Sequence, residues 1–241
     1  MKTKSTLLTL ALLATHIGAV NAVVTNATQS NASQTFFVAS TTDLMNSNQS
    51  TFLSITGSDS MTFGGGAGGL PALNNGQTGA LNEIGQAALA PDQTGFTGTI
   101  TLNLNISVNT FGYEILAVQS IAAWDAIRSN QTYELFYATV SLPSNYISLG
   151  TVSTNLGFVG GATRVSFFDS AQTGIAIASG VSSLRLNYSV ADFANQVSES
   201  TAFREIDVIG VASVPEPGTS TLLIAATAVM LARFRRRNSR A

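Results

Sequence analysis

Residues 99–108 alternate between apolar and polar side chains without a break, and no other pattern in the chain narrows the choice of folds as far. Period-two alternation over ten residues predicts a β-strand with one buried face. Shorter strand-like runs, mostly separated by polar or glycine-containing turns, occur elsewhere and predict an all-β fold, an antiparallel β-sandwich. We expect these further strands at residues 35–39, 51–55, 113–121, 133–140, 146–152, 163–168, 174–178, 183–190 and 203–211.

Two segments outside this pattern are predicted to lack regular structure. Residues 23–34 are rich in Asn, Thr, Gln and Ser, which predicts a disordered leader. Residues 64–69 are all glycine except Ala67. A phosphate-binding glycine loop needs a following Lys-Ser/Thr pair and a helix, and neither pattern follows here, so we expect a flexible surface loop.

The C-terminal part of the chain is predicted to be a membrane anchor. Residues 219–232 carry no charge, and the stretch 218–234 has 17 residues, at the short end of what crosses a bilayer core of about 30 Å as a helix. Clustered arginines remain on the cytoplasmic side, so the bulk of the chain is expected outside. A buried core helix with a basic tail is the alternative. The basic stop consists of Arg233, Arg235, Arg236 and Arg237, followed by Arg240.

The N-terminus is predicted to be a signal peptide. Lys2 and Lys4 precede an apolar region at residues 7–20, and small residues lead up to a cleavage position after Ala22. A helix is expected in this segment and a second one in the membrane anchor. The chain then divides into a signal peptide (1–22), a leader (23–34), one β-sandwich domain (35–212) and an anchor (213–241).

The charge and residue types between the two ends exclude several functions. Residues 23–214 contain four arginines, no lysine and twelve carboxylates, which gives a net charge of −8. This acidic balance argues against nucleic-acid binding. The chain has no cysteine, and its only histidine, His16, lies in the signal peptide. Thiol catalysis, a Ser-His-Asp triad and histidine zinc sites are therefore excluded from the body. Any chemistry must use carboxylates, tyrosines, arginines or a bound cation.

The anchor begins with a short proline signature, Val214, Pro215, Glu216, Pro217 and Gly218. The order of this signature, one apolar stretch and an arginine cluster resembles the PEP-CTERM sorting signal of exported bacterial proteins. The resemblance implies that an exosortase, a membrane transpeptidase-like enzyme, recognises the chain. It also implies a location at the cell surface or in an extracellular polysaccharide matrix. The prolines suit recognition because they hold the chain extended.

Three stretches of the body carry a second resemblance. They are Leu73-Asn-Asn-Gly76; residues 113–137, with Trp124, Arg128 and Gln131; and the closing run 203–210, Phe-Arg-Glu-Ile-Asp-Val-Ile-Gly. In this order they are similar to the galactose-binding-like jelly rolls, which include discoidin domains and several carbohydrate-binding modules. The resemblance covers most of residues 36–211. It implies a jelly roll that binds rather than cleaves its ligand.

The same resemblance implies two candidate sites. Many of these jelly rolls hold a structural calcium between the early loop and the closing strand, which carries over to Asn75 and Glu205. Asn75 stands where the family has an aspartate, and the alternative for Glu205 is a solvated carboxylate beside Arg204. A sugar platform could be formed by Trp124, Asp125 and Arg128. The alternative there is a tryptophan that closes one end of the core.

Together these features predict a non-enzymatic, exported and membrane-anchored protein that contacts extracellular polysaccharide, with no cofactor unless calcium is bound. Two alternatives remain open. One is a structural matrix protein without a ligand. The other is a glycan-active enzyme that uses a carboxylate pair, with candidates Glu114, Asp125, Glu134, Glu199, Glu205 and Asp207.

Overall fold

The structure, a computed structural model, describes residues 22–57, 68–89, 97–124, 126–154, 160–171, 173–189 and 201–214. These ranges contain ten β-strands and three short 3₁₀ helices, and no α-helix occurs in them. The 3₁₀ helices are Leu70–Leu73, Ile84–Gln86 and Ala126–Ser129. The strands are β1 (Val24–Asn31), β2 (Phe52–Gly57), β3 (Ala88–Leu89), β4 (Thr97–Leu104), β5 (Tyr113–Trp124), β6 (Thr132–Thr139), β7 (Leu142–Ser153), β8 (Gly161–Asp169), β9 (Ala178–Ser189) and β10 (Ala202–Ala212).

The strands pair antiparallel and form two layers. One layer has the order β1-β8-β5-β10-β3, and the other has the order β2-β4-β9-β6-β7. A short pairing of β5 with β9 joins the two layers, with Tyr113 opposite Val181 and Ile115 opposite Ala178. The predicted all-β, antiparallel sandwich is confirmed by this arrangement.

The core lies between the inner faces of the two layers. Ile100 and Leu102 point inward from β4 and are fully buried, as the alternation of that segment predicts. Tyr133 of β6 reaches across to Phe167 of β8 and Phe203 of β10, with ring centroids 6.1 and 6.4 Å apart. Each such buried side chain contributes about 1.5–3 kcal/mol to folding, so the cross-layer contacts hold the sandwich together.

A layer of loops covers the outer face of β5 and β10. Phe37 packs on Ile121, Ala123 and Ala162, and the Thr78 hydroxyl donates a hydrogen bond to the Phe37 carbonyl at 3.1 Å. The first seven residues of β10 are therefore buried on both faces. This enclosure decides the environment of every polar side chain on that strand.

The first strand corrects the prediction of a disordered leader. Residues 24–31 form β1, and all eight residues pair with β8. The Asn26 side-chain amide also donates to the Thr151 carbonyl at 3.0 Å. Most side chains of β1 are exposed, so the strand is held by backbone hydrogen bonds and its polar composition resembles that of an unstructured segment.

Three of the predicted strands also differ from the structure. Strand β4 ends at Leu104, because the Asn105 carboxamide oxygen accepts hydrogen bonds from the backbone and hydroxyl of Ser107 and closes a turn. Residues 35–39 are a covering loop rather than a strand. Strand β9 begins only at Ala178, since the Asp169 carboxylate accepts from the backbone and hydroxyl of Thr173 and folds the preceding residues into a turn.

Most of the two predicted targeting segments falls outside the described residues. The predicted signal-peptide helix, the signature residues 215–218, the apolar stretch 219–232 and the arginine cluster all lie there. Within the part of the chain that the structure describes, no helix is long and apolar enough to cross a membrane.

Candidate functional site

Two carboxylates of β10 face the covering loops rather than the core. Glu205 is 0% exposed, and its Oε2 accepts hydrogen bonds from the backbone N–H groups of Gly76 and Gln77, at 3.1 and 3.3 Å. Both carboxylate oxygens of Asp207 accept from the Ser40 backbone N–H, at 3.1 and 3.2 Å. The strand thus binds both loops through carboxylates two residues apart, which alternation places on one face.

A third carboxylate, Asp43, completes the group, which we call the acidic cluster (Asp43, Glu205 and Asp207). Asp43 Oδ1 accepts from the backbone N–H groups of Met45 and Val208, at 2.9 and 3.2 Å. Asp43 Oδ2 and Glu205 Oε1 are buried and have no hydrogen-bond partner among the described residues. Buried oxygens of this kind are costly unless something else supplies the positive partner.

The pKa values of all three carboxyl groups in the acidic cluster are raised, as expected for buried carboxylates close to one another. Burial, together with the charges of Asp207 and Asp43, raises the pKa of Glu205 to about 9. Burial and the charge of Asp43 likewise raise the pKa of Asp207 to about 7, and burial raises the pKa of Asp43. At neutral pH, Glu205 and to a lesser degree Asp207 therefore favour a bound proton or a nearby cation.

Asn75, the other predicted calcium residue, lies in the turn that contacts Glu205. Its side-chain amide donates to Gln86 Oε1 at 2.7 Å, and its Oδ1 accepts from the Gln77 backbone at 2.9 Å. The next residue, Gly76, has a φ of +73°, and a Cβ there would lie 3.3 Å from the Ser40 carbonyl oxygen. The tight turn thus brings neutral oxygens close to the acidic cluster.

These donors fit a hard cation in part. Calcium takes six to eight oxygen ligands, which include backbone carbonyls as well as carboxylates. Among the described residues, no three carboxylates converge closely enough to hold a metal by themselves. A calcium ion here would need the partnerless oxygens of Asp43 and Glu205 together with neutral loop oxygens such as those of Ser40 and Asn75.

Sequence reasoning placed Asn75 and Glu205 at one calcium site but did not assign Asp43 or Asp207 to it, although Asp207 was a candidate for a catalytic carboxylate pair. Asp207 could have been found, because it is two residues from Glu205 on a strand with period two. Asp43 could not, because only the folded loop brings it to β10. The alternative of a solvated Glu205 beside Arg204 does not match its burial.

Trp124 lies at the end of β5 and is 8% exposed. The Arg204 guanidinium lies 5.0 Å from the centre of its ring, and Ala87 and Ala202 pack around it. Arg204 is itself buried and donates to the backbone carbonyls of Ala123 and Glu83, at 2.9 and 2.7 Å. This environment resembles the core-closing alternative more than an open sugar platform.

The structure describes only one of the two residues proposed to bind a sugar together with Trp124. Arg128 is half-buried in the 3₁₀ helix Ala126–Ser129, and Asp125 lies outside the described residues. The predicted ligand group of Trp124, Asp125 and Arg128 therefore stays a prediction.

A groove of about 470 Å³ lies where β4 begins and β9 ends. Register places Thr97 opposite Ser189 and Thr99 opposite Asn187, so four polar side chains line the outer face of two neighbouring strands. Arg185 adds a guanidinium, and the complete lining consists of Thr97, Gly98, Thr99, Arg185, Asn187, Tyr188 and Ser189. We call this the distal groove. Sequence reasoning missed it because it depends on the register of β4 against β9.

An aromatic ring lies beside the distal groove. The Arg185 guanidinium lies 3.6 Å from the centre of the Tyr146 ring, a cation–π contact. The Tyr146 hydroxyl also hydrogen-bonds Ser183 at 3.1 Å. Arg185 Nε is buried and has no hydrogen-bond partner among the described residues. The strand thus holds a guanidinium at the edge of the groove.

The carboxylates proposed for glycan cleavage do not form an open pair in the described residues. Glu205 and Asp207 are buried beneath the loops. Glu114 accepts from the hydroxyls of Ser179 and Ser213, and Glu134 accepts from that of Ser148. The remaining candidates, Asp125 and Glu199, lie outside the described residues.

Solved structures of carbohydrate-binding modules are similar to part of this chain. A pectin-binding module matches at 14% identity and a TM-score of 0.40, and covers 69% of this chain and 96% of that chain. A family 32 module from Clostridium perfringens in complex with GalNAc-β-1,3-galactose matches at 14% identity and a TM-score of 0.41, over 65% and 94% of the two chains. The C-terminal domain of a Bacteroides fragilis chitobiase matches at 13% and 0.40, over 68% and 94%.

Agreement at this level concerns only part of the chain trace, so no ligand or activity of this chain follows from it. No protein-family model and no curated protein sequence matches the chain.

Proposed function

We propose that the protein is an exported, membrane-anchored bacterial surface or extracellular-matrix protein whose jelly-roll sandwich binds carbohydrate without cleaving it. The observation that carries the binding part is the distal groove, with its hydroxyl, amide and guanidinium groups on adjacent strands. The export and anchoring parts are supported by the sequence of the two ends, with the signal peptide 1–22 and the PEP-CTERM-like segment 213–241.

In this proposal an exosortase recognises residues 214–218 on the outer side of the membrane. The apolar stretch 219–232 lies in lipid, and Arg233, Arg235, Arg236 and Arg237 stay in the cytoplasm. The acidic body remains outside, at the cell surface or among extracellular polysaccharide.

The distal groove suits a sugar because its groups can both donate and accept hydrogen bonds. Thr and Ser hydroxyls do both, the Asn187 amide offers one of each kind of group, and Arg185 donates only. A groove of about 470 Å³ is in the size range of small-molecule sites. Tyr146 supplies an aromatic surface at its edge. Trp124 with Asp125 and Arg128 is the second position at which a sugar could bind.

Calcium at the acidic cluster is the second part of the proposal. The ion would be held by Glu205 and Asp43 with neutral oxygens near Asn75, and would supply the positive charge that these buried oxygens lack. Its role would be structural, since it would tie β10 to the loops that cover it.

Replacing the polar side chain at the centre of the distal groove tests glycan binding. We predict that Asn187→Ala lowers the affinity of the full-length protein for its glycan roughly tenfold, about 1.4 kcal/mol, because a hydrogen-bonding group is lost. A glycan array identifies the ligand, and calorimetry measures the affinity of each variant.

Asn48→Ala is the matched control. Asn48 is exposed, and only its backbone N–H makes a described hydrogen bond. Equal affinity of both variants would move the site elsewhere, with Trp124 as the next position to test. Failure of the parent protein to bind any glycan, with or without calcium, would leave the ligand-free matrix protein.

A further inference from the structure

Five apolar side chains are exposed at the end of the sandwich from which the chain continues into its C-terminal segment. We call them the exit patch: Ile106, Val108, Phe111, Leu142 and Val214. Phe111 is 54% exposed and Val214 is 80% exposed. Isolated exposed apolar residues are ordinary, whereas several at one end of a domain mark a contact surface.

Backbone contacts bring the members of the exit patch to the same end. The Ser213 N–H donates to the Gly112 carbonyl at 2.9 Å, which holds the loop with Ile106, Val108 and Phe111 against the end of β10. Gly112 packs so closely on Gly180 that a Cβ at residue 112 would lie 2.6 Å from the Gly180 carbonyl carbon.

The remaining member, Leu142, is brought to this end of the sandwich through Gly180. The Val140 N–H donates to the Gly180 carbonyl at 2.9 Å, and Leu142 pairs with Thr139 at the turn between β6 and β7. The loop, the turn and the end of β10 therefore lie at the same end of the sandwich and are linked by backbone hydrogen bonds.

The composition of these loops suits a lipid surface. Residues 105–112 and 140–145 contain no charged side chain, and their polar residues are uncharged Asn, Ser and Thr. Such a surface enters the interfacial region without stripping water from an ion. The Glu114 carboxylate, which accepts from the Ser213 hydroxyl beside Val214, is a charge at this end of the sandwich but lies outside these two loops.

The position of the apolar stretch determines what lies near the patch. Four residues separate Val214 from residue 219, where that stretch begins. Even fully extended, the connection spans at most about 18 Å. If residues 219–232 lie in the membrane, the exit patch is held next to the lipid head groups.

We propose that the exit patch rests on the outer lipid surface, with Phe111, Val108 and Leu142 inserted among the head groups. This inference rests on the anchoring proposed above. It adds a second, lateral contact that fixes the orientation of the sandwich. The distal groove then lies far from the membrane, because it is at the opposite end of the strands.

Quenching by brominated lipids tests the contact directly. The full-length protein with Phe111→Trp is reconstituted into phosphatidylcholine vesicles with and without bromine on the acyl chains. The added tryptophan should lose most of its emission in brominated vesicles. The parent protein is the background, because its only tryptophan, Trp124, lies at the other end of β5.

Phe36→Trp is the matched control. Phe36 is 58% exposed and lies beside Phe37, which packs near the far end of β5, so its emission should be unchanged by bromine. Co-flotation of the protein with vesicles reports the anchoring separately.

Each outcome bears on the proposal. Flotation without quenching at residue 111 overturns the lipid contact and leaves the anchoring intact. Equal quenching at residues 36 and 111 overturns the proposed orientation. Failure to float overturns both proposals.

Discussion

Single buried polar residues in this sandwich differ sharply in how well they are satisfied. Gln131 donates to the Thr163 hydroxyl at 2.8 Å and accepts from the Ser120 hydroxyl at 2.6 Å. Glu205, equally buried, keeps one oxygen without a partner among the described residues. Buried polar atoms in folded proteins generally have hydrogen-bond partners, as those of Gln131 do here. The oxygen of Glu205 that lacks one therefore points to a bound proton or cation.

The acidic cluster predicts an unusual pH dependence of stability. We expect the chain without residues 215–241 to lose stability from pH 5 to pH 9 in the presence of a calcium chelator. Burial raises the folded-state pKa of Glu205 to about 9 and that of Asp207 to about 7. The folded state therefore holds protons that the unfolded chain has released, and stability present in acid is lost as pH rises through these values. The slope is up to about 1.4 kcal/mol per pH unit for each group, measured by urea unfolding at several pH values.

A substitution at Glu205 separates proton binding from cation binding. Glu205→Gln should flatten the pH profile and abolish the stabilisation by calcium at pH 8, whereas Glu134→Gln on the outer face should preserve both. Calcium stabilisation that persists in Glu205→Gln would place the ion elsewhere. Parallel pH profiles for the parent and Glu205→Gln would contradict the raised pKa of this carboxyl.

At the scale of elements, the edge strand β1 is the part of the sandwich that depends most on backbone pairing. It contacts only one strand of its layer, β8, and most of its side chains are exposed. Its contribution to stability must therefore come chiefly from ladder hydrogen bonds, each worth about 0.5–1.5 kcal/mol net.

Proline substitutions at adjacent positions test this strand. In an edge strand, alternate residues direct their N–H towards the partner strand, so proline removes a ladder bond at one position and not at its neighbour. Of Ala27→Pro and Thr28→Pro, one should cost at least about 1 kcal/mol and the other much less, by urea unfolding. If both were neutral, the segment would behave as the disordered leader that its composition predicts.

The sequence predicts those elements whose side chains alternate between core and solvent. Strand β4 shows this pattern in its burial, and β10 shows it in its sequence from Glu205 to Val208, although the covering loops also bury its polar face. Both strands were expected. Strand β1 lacks this pattern because most of its side chains are exposed and only Val24, at its first position, packs against the core. The turn at Asn105 depends on one side chain that accepts a hydrogen bond from the Ser107 backbone N–H. It was not predicted because apolar Ile106 and Val108 continue the alternation of a strand. Asp43 and the distal groove depend on which loop and which register meet in space, and a linear pattern does not carry that information.

At the scale of the whole molecule, the two ends of the sandwich have different surfaces. The exit patch is apolar and uncharged, and the distal groove is polar with a guanidinium. β10, with 11 residues, runs between these ends and separates them by about 35 Å. A membrane-held body of this shape presents its groove to the surroundings.

Removing the C-terminal segment tests this arrangement in cells. Deletion of residues 215–241 removes the apolar stretch and the arginine cluster, so the body should be found in the medium instead of the membrane fraction. Immunoblots of fractionated cells compare the deletion with the parent chain. Retention of the truncated body on membranes would reveal another anchor, and its presence in the cytosol would contradict export.

The position of β10 also has a consequence for how the chain matures. This last described strand lies between β5 and β3, in the interior of its layer rather than at an edge. If the chain is exported from its N-terminus, the edge of β5 that pairs with β10 stays open until residues up to 212 have been translocated, whereas its other edge can already pair with β8. Under the proposed anchoring, the body therefore completes its folding at nearly the moment when the apolar stretch would reach the bilayer. A chaperone that protects the open edge of β5 would act before that point, and a sorting enzyme after it.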